Sequence, residues 1–261
     1  MVSTHTHTQV IKRSKGRDVV AKAAYNSRSD LTNLNTGKKT YNQARGGLVY
    51  ETILIPENSP SWLEESVKDR ATFWSAVDNR EIRKDAQFAR EVDVALLHEL
   101  SIQENIDLLL SCVKQQFVER GMVADIAIHE PPKGGDPRNI HAHILLTMRE
   151  ITPDGFGNKA REWNHRSLVK EWRETFCNES NRYLERNGFE PRLDHRSFKK
   201  RNINKEPARY KGPAAYRKVK QKSKNRDTTK GPIDVWKLLQ DSIDLKTKDR
   251  DSKSKGNEME K

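Results

Sequence analysis

Two β-rich runs, "MVADIAIHE" (122–130) and "IHAHILLTM" (140–148), stand on either side of "PPKGGDPRN", whose proline and glycine content marks a connecting loop. They are expected to pair as a hairpin. Neighbouring strands joined by a loop, in a chain whose strands and helices interleave without a regular βαβ rhythm, favour an α+β domain with an antiparallel sheet. No internal repeat is present.

The other segments fit that frame. "THTQVIKR" alternates as a first strand, and "LVYETILIP", closed by Pro56, reads as another. "AREVDVALL" alternates charged and apolar residues as a half-buried strand should. "RDVVAKAAYNSRSD" reads as a short helix with Asp18 at its N-cap and with Ala21, Ala24 and Tyr25 on one face. "SWLEESVKDRATFWSAVDNREIRKD" reads as one helix opened by a Ser61 to Glu64 capping box, its apolar stripe formed by Leu63, Val67, Trp74 and Val77. "SIQENIDLLLSCVKQQFVERG" has a second box, Ser101 to Glu104, and a stop at Gly121. "HRSLVKEWRETFCNESNRYLERNG" places Leu168, Trp172 and Phe176 at i, i+4 and i+8. From residue 217 apolar residues almost vanish, so 217–261 reads as a charged, disordered basic tail with a short docking helix at 233–245.

Composition narrows the partners. The chain has 261 residues, 49 Lys and Arg against 37 Asp and Glu, and a formal net charge of +12. Such an excess draws an anionic partner, nucleic acid being the commonest, although a basic surface kept for solubility explains it too. No apolar run approaches the roughly 18 residues of a membrane span, and the N-terminus lacks an apolar signal core, so no membrane insertion and a cytoplasmic setting are expected. Cys112 and Cys177 fall on expected helices among apolar neighbours and read as reduced and non-catalytic.

Strand geometry gives the histidines a common face. Residues two apart in a strand point the same way, so His141 and His143 project together, and a hairpin brings His129 beside them. Three imidazoles form a facial set that leaves coordination positions open, as metal catalysis requires. A lone His-x-His is more plainly a pair of surface or core residues; the third histidine is what makes a metal site a serious reading. His5 and His7 share the spacing but lie at a terminus, and their use stays open. Tyr25 reads either as packing or as a nucleophile, which for a phenol needs help from a metal and a carboxylate. Glu91 and Asp93, two apart on one strand face, are candidates for that carboxylate, or else a solvated polar face.

"SKGRDVVAKAAYNSRSDL", "ETILIPENSPSWL", "NREIRKDAQFAREVDVALLHELS", "GMVADIAIHE", "NIHAHILLTMR" and "LDHRSF", in that order over residues 1–213, resemble the MobA/MobL relaxases. These are plasmid-mobilisation nucleases of the HUH superfamily, often called the MobQ class. The resemblance implies an α+β relaxase fold, a central antiparallel sheet flanked by helices, over residues 1–216. It implies a conjugative relaxase that nicks one DNA strand at an origin of transfer, forms a 5′-phosphotyrosine link and later rejoins the strand. Tyr25 then matches the nucleophile and His129, His141 and His143 the ligands of a divalent ion, Mg²⁺ or Mn²⁺. Asp93 matches an acid that assists the tyrosine, and Glu91 the acid two before it. The implied partners are single-stranded or duplex DNA at the origin, relaxosome accessory proteins and a type IV secretion coupling protein, with translocation of the protein into a recipient cell. "DHRS" (194–197) matches a motif read as structural or DNA-facing. The chain departs from the family in a longer loop before Asn139, in Ile140 where proline is usual, and in Asn26 where arginine commonly follows the tyrosine. Basic residues with interleaved aromatics, Lys199, Lys200, Arg201, Tyr210 and Lys211 with Phe198 and Tyr216, suit single-stranded DNA. Rival readings are a rolling-circle replication initiator, a non-catalytic DNA-binding accessory protein and a zinc hydrolase.

Overall fold

The expected hairpin lies at the heart of the sheet. The computed structural model describes residues 2–3, 6–41, 47–131 and 138–204. In chain order its strands are β1 (Val2–Ser3), β2 (Thr6–Lys12), β3 (Leu31–Thr32), β4 (Lys39–Thr40), β5 (Leu48–Leu54), β6 (Gln87–Ala95), β7 (Ala124–His129), β8 (His141–Thr147), β9 (Arg149–Thr152), β10 (Gly155–Lys159) and β11 (Leu193–Asp194). Its helices are α1 (Val19–Ser27), α2 (Ser61–Ser66), α3 (Arg70–Arg80), α4 (Ile102–Gln116) and α5 (Arg166–Arg186). Five strands form one sheet in the order β2-β6-β8-β7-β5, with every neighbour antiparallel. The remaining strands make two-stranded pairs, β3 with β4, β9 with β10, and β1 parallel to β11.

Helices cover both faces of the sheet. On one face Val92, Val94, Ile126, Ile128, Ala142, Ile144 and Leu146 meet Leu109 and Val113 of α4 and Trp172, Phe176 and Leu184 of α5. On the other, Ile11, Ala89 and Leu145 meet Val19, Val20 and Ala23 of α1 and Phe73, Trp74 and Val77 of α3. The second cover corrects the half-buried reading of residues 89–97: β6 is an inner strand, and its charged residues Arg90 and Glu91 are 7% and 0% exposed. Arg90 donates through its two terminal nitrogens to the Trp163 carbonyl and to Asn164 Oδ1, while its buried Nε has no partner among the described residues.

The caps explain where helices begin and where one reading fails. Asp18 accepts from the backbone N–H groups of Val20 and Ala21 to start α1, and the Ser101 and Glu104 box forms at α4 as expected. The single helix expected over 61–85 is two. Pro60 takes the N-cap place of α2, so Ser61 is its first residue and its capping box does not form. Asp69 then accepts from Thr72 N and opens α3 as a fresh start. Arg70, the first residue of α3, binds Asp125 on β7 through Nε and Nη2, and Trp74 Nε1 donates to the same carboxylate at 2.8 Å. This pins α3 to the sheet. Burial raises the Asp125 carboxyl even so, with Arg70 and Trp74 opposing it.

Cys112 and Cys177 are buried and free on α4 and α5. Among the described residues no helix is long and apolar enough to cross a membrane. The domain boundary at 216, the charged tail with its helix at 233–245, Tyr210, Lys211, Tyr216, His5 and most of the loop before Arg138 lie outside the described residues.

Candidate active site

Pairing across four strands assembles the site. Directly opposed residues of an antiparallel pair face the same side. His129 opposes His141 across β7 and β8, His143 opposes Asp93 across β8 and β6, and Asp93 opposes His7 across β6 and β2. Glu91 lies two residues before Asp93 and opposes Gln9. All of them therefore share the face that also carries α1. The three histidine rings stand 4.8 to 5.5 Å apart between centroids. One ring nitrogen of each lies within 4.8 Å of the others.

Tyr25 reaches this cluster from α1. The helix buries Val19, Val20, Ala23, Ala24 and Ser27, and the alanines let it lie close to the sheet. Its inward face is thus Val20, Ala23, Ala24 and Ser27, while Ala21 is half-buried and Tyr25 is 49% exposed. The tyrosine ring meets the edge of His143 at 5.9 Å and 77°. Arg28 caps the helix in the left-handed region, φ 54°, which turns its side chain back. Its guanidinium lies 5.0 Å from the Tyr25 ring centroid and donates to His129 Nδ1 at 3.3 Å.

Hydrogen bonds fix which nitrogen of each imidazole keeps its lone pair. Carboxylates only accept, so His143 Nδ1 carries a proton and donates to Asp93 Oδ1 at 2.6 Å and to Glu91 Oε1 at 3.2 Å. His143 Nε2 is left with its lone pair, buried and, among the described residues, without a hydrogen-bond partner. His141 Nδ1 donates to the Asn139 carbonyl at 3.1 Å, which leaves the lone pair on its Nε2, and His129 Nε2 donates to the Asn26 carbonyl at 2.6 Å, which leaves the lone pair on its Nδ1, where Arg28 donates at 3.3 Å. A buried orphan nitrogen costs about 1–3 kcal/mol unless something ligates it, and imidazoles held from behind by carboxylate or carbonyl are the usual form of metal ligands. The residues therefore fit a divalent cation.

Electrostatics divides the roles of the ring and acid groups. Burial, with the neighbouring cations and imidazoles, takes His129 down to about 4, and burial also lowers His141, so both are neutral donors at pH 7. His143 is raised: burial opposes its charge, but the bonds to Asp93 and Glu91 outweigh it. Burial would raise the Glu91 carboxyl, yet His143 and Lys22 hold it at about 2. Glu91 is fully buried, with Lys22 Nζ at 2.6 Å from Oε1 and Gln9 Nε2 donating to Oε2 at 2.6 Å. It is no solvated acid. The Asp93 side chain keeps 23% exposure, and its Oδ2 meets His7 Nδ1 at 3.3 Å. Both acids touch His143; among the described residues the Tyr25 hydroxyl has no hydrogen bond.

Sequence reasoning missed Lys22 and Arg28. Each is three residues from Tyr25, one helical turn, and that spacing was the available signal. His7 was noticed without a use, since its partner Asp93 is 86 residues away.

The basic candidates are apart from this cluster in the chain. Lys199 and Lys200 are exposed on the short turn Phe198–Arg201. Arg201 instead turns to Asp194 at 3.4 Å and to the Phe198 ring. Asp194 also takes three donors from Arg196, and those bonds hold its carboxyl well below the usual range, so the acid of the "DHRS" motif is spent on local structure.

Comparison with known proteins adds an independent line. Residues 17–222 match the MobA/MobL family. A probable conjugal transfer protein TraA of Sinorhizobium fredii is 31% identical over 239 residues, 81% of this chain and 21% of that protein. A mobilization protein MobL of Acidithiobacillus ferridurans is 31% identical over 245 residues, 82% of this chain and 63% of that protein. The chain thus spans only part of these relatives' length. A solved structure described as the molecular basis of vancomycin resistance transfer in Staphylococcus aureus has a TM-score of 0.67 and 28% identity, covering 75% of this chain and 100% of that one.

Proposed function

The chain belongs to the MobA/MobL family, and on that premise we propose that it is a relaxase, a strand-specific endonuclease acting at a plasmid origin of transfer. The observation that carries the reading is Tyr25 standing against His143 within a cluster of three convergent imidazoles on one sheet face. Tyr25 attacks the scissile phosphorus, its oxygen forms the new bond to phosphorus, and the 3′ oxygen leaves. The product is a 5′-phosphotyrosine link that keeps the phosphodiester energy, so the same residue reverses the step without ATP.

His129, His141 and His143 would hold a divalent cation, Mg²⁺ or Mn²⁺, which when bound supplies positive charge at the non-bridging phosphate oxygens. Asp93 orients His143 and, as the more accessible acid, is assigned the phenol proton. Glu91, buried and tied on both oxygens, is assigned to hold His143 and Lys22 in place. Single-stranded and duplex DNA are drawn by the +12 charge, with Lys199 and Lys200 among the exposed contacts, so binding weakens steeply as salt rises. Relatives named for conjugal transfer and mobilisation support a cytoplasmic bacterial setting, with accessory proteins and a secretion coupling protein as further partners.

The test is incubation with supercoiled plasmid carrying the cognate origin and Mg²⁺ or Mn²⁺. The expected product is nicked DNA with protein on its 5′ end. A Tyr25→Phe variant that still nicks removes the mechanism, and nicking without attached protein favours a hydrolase that uses water.

A further inference from the structure

Two cations flank Tyr25 on its own helix, and neither has a part in the reaction as written above. Lys22 Nζ stands 4.7 Å from the Tyr25 ring centroid and Arg28 Cζ 5.0 Å from it. The lysine is no free surface charge. Its side chain is 19% exposed, and Nζ lies 2.6 Å from Oε1 of the fully buried Glu91. Glu91 in turn is fixed by Gln9 at 2.6 Å, and Gln9 Oε1 accepts from Arg17 at 2.6 Å. The same carboxylate holds His143. A carboxylate anchored on both oxygens cannot follow a wandering ammonium, so Lys22 is held in one place relative to the nucleophile and to the imidazole beside it.

We propose that Lys22 is a positioning residue for Tyr25: anchored by Glu91, its ammonium fixes the ring and places positive charge on the aromatic system that becomes anionic during reaction. The inference rests on the nicking reaction proposed above. As the bond from Tyr25 Oη to phosphorus forms, the bond to the 3′ oxygen breaks, the phenol proton departs and the 3′ oxygen takes one up. In rejoining, phenolate is the leaving group. In both directions negative charge develops on the phenol oxygen and spreads into the ring, and a cation against the ring favours that state over neutral phenol. An interaction of this kind changes the rate of the chemical step and leaves substrate binding alone. Arg28 adds to the same field, but it also bonds His129, so Lys22 is the cleaner probe.

The experiment uses the full chain, Mn²⁺ and a fluorescent single-stranded oligonucleotide spanning the nick mapped on the plasmid. Single-turnover cleavage and rejoining are timed for wild type, Lys22→Arg and Lys22→Gln, with oligonucleotide affinity measured alongside. Lys22→Gln is expected to slow both directions by about tenfold, with affinity within about twofold, and Lys22→Arg to restore most of the rate. Wild-type rates in Lys22→Gln overturn the proposal. So do a loss shared equally by Lys22→Arg, a loss confined to affinity, or failure of Lys22→Gln to fold, which would make the lysine a structural tie. A wild-type chain that attaches to no DNA overturns the relaxase reading and this proposal with it; wild-type attachment beside an unimpaired Lys22→Gln overturns the lysine's role alone.

Discussion

Asp93 and His143 stand opposite each other on β6 and β8, and His143 Nδ1 donates to Asp93 Oδ1 at 2.6 Å. The carboxylate sets the tautomer that leaves His143 Nε2 free, and its charge makes that nitrogen a better donor. Asp93→Asn keeps the size and loses the charge. Its Mn²⁺ affinity, read by titration calorimetry, is expected to fall about 10- to 100-fold. Unchanged affinity would show that Asp93 does not act through the histidine.

How much of this was legible in the sequence depends on the range of the signal. His141 and His143 share a face by strand periodicity alone, and His129 joins them because its strand is the next one along, so the cluster was readable from local pattern. The Asp18 cap marked the helix that carries Tyr25 but left packing and nucleophile both open, and the resemblance alone chose between them. The burial of Glu91 was not readable: the alternation of residues 89–97 looks the same in an edge strand and in an inner one, and only the order β2-β6-β8-β7-β5 decides. The pairing of His7 with Asp93 depends on that same order. The break before α3 was visible in Asp69, a strong cap inside an otherwise helical stretch, but the apolar spacing of Leu63, Val67, Trp74 and Val77 masked it.

Cys112 gives a pH dependence far from the reaction. Burial pushes its thiol up to about 12 from 9.0. A thiol raised by folding stabilises fully below its unfolded value, and that contribution is lost as pH rises from about 9 toward about 12. Urea melts between pH 8 and 10.5 are expected to show falling stability for wild type and a shallower fall for Cys112→Ala. The native thiol is also expected to resist a disulfide reagent at pH 8, since a buried neutral thiol is inert. Rapid labelling of the folded protein, or equal slopes, would contradict this.

Arg70 offers a test of the fold without touching the nucleophile. It binds the 3% exposed Asp125 through two nitrogens while Trp74 takes the same carboxylate. Arg70→Met leaves that buried charge with one neutral donor. The expected loss is about 3–5 kcal/mol, measured by urea unfolding. Asp125→Asn removes the charge together with the need to pair it and is expected to cost less. If Arg70→Met costs under about 1 kcal/mol, water reaches the carboxylate and the tie between α3 and the sheet is weaker than its geometry.

Arg28 sets stability against activity at a single position. It holds φ 54°, a conformation that glycine adopts freely and arginine does not, and from there it covers the Tyr25 ring and bonds His129. Arg28→Gly removes the backbone strain and both contacts. The variant is expected to be more stable by up to about 1 kcal/mol and to cleave origin DNA about tenfold more slowly, the trade found where a strained residue serves a site. Arg28→Lys keeps the strain and the charge and is expected to cleave faster than the glycine variant while melting below it. Melting curves and single-turnover cleavage on the same preparations decide the matter: a glycine variant that melts lower means the side chain's contacts outweigh the strain, and one that cleaves at the wild-type rate means the turn at Arg28 serves the helix end alone.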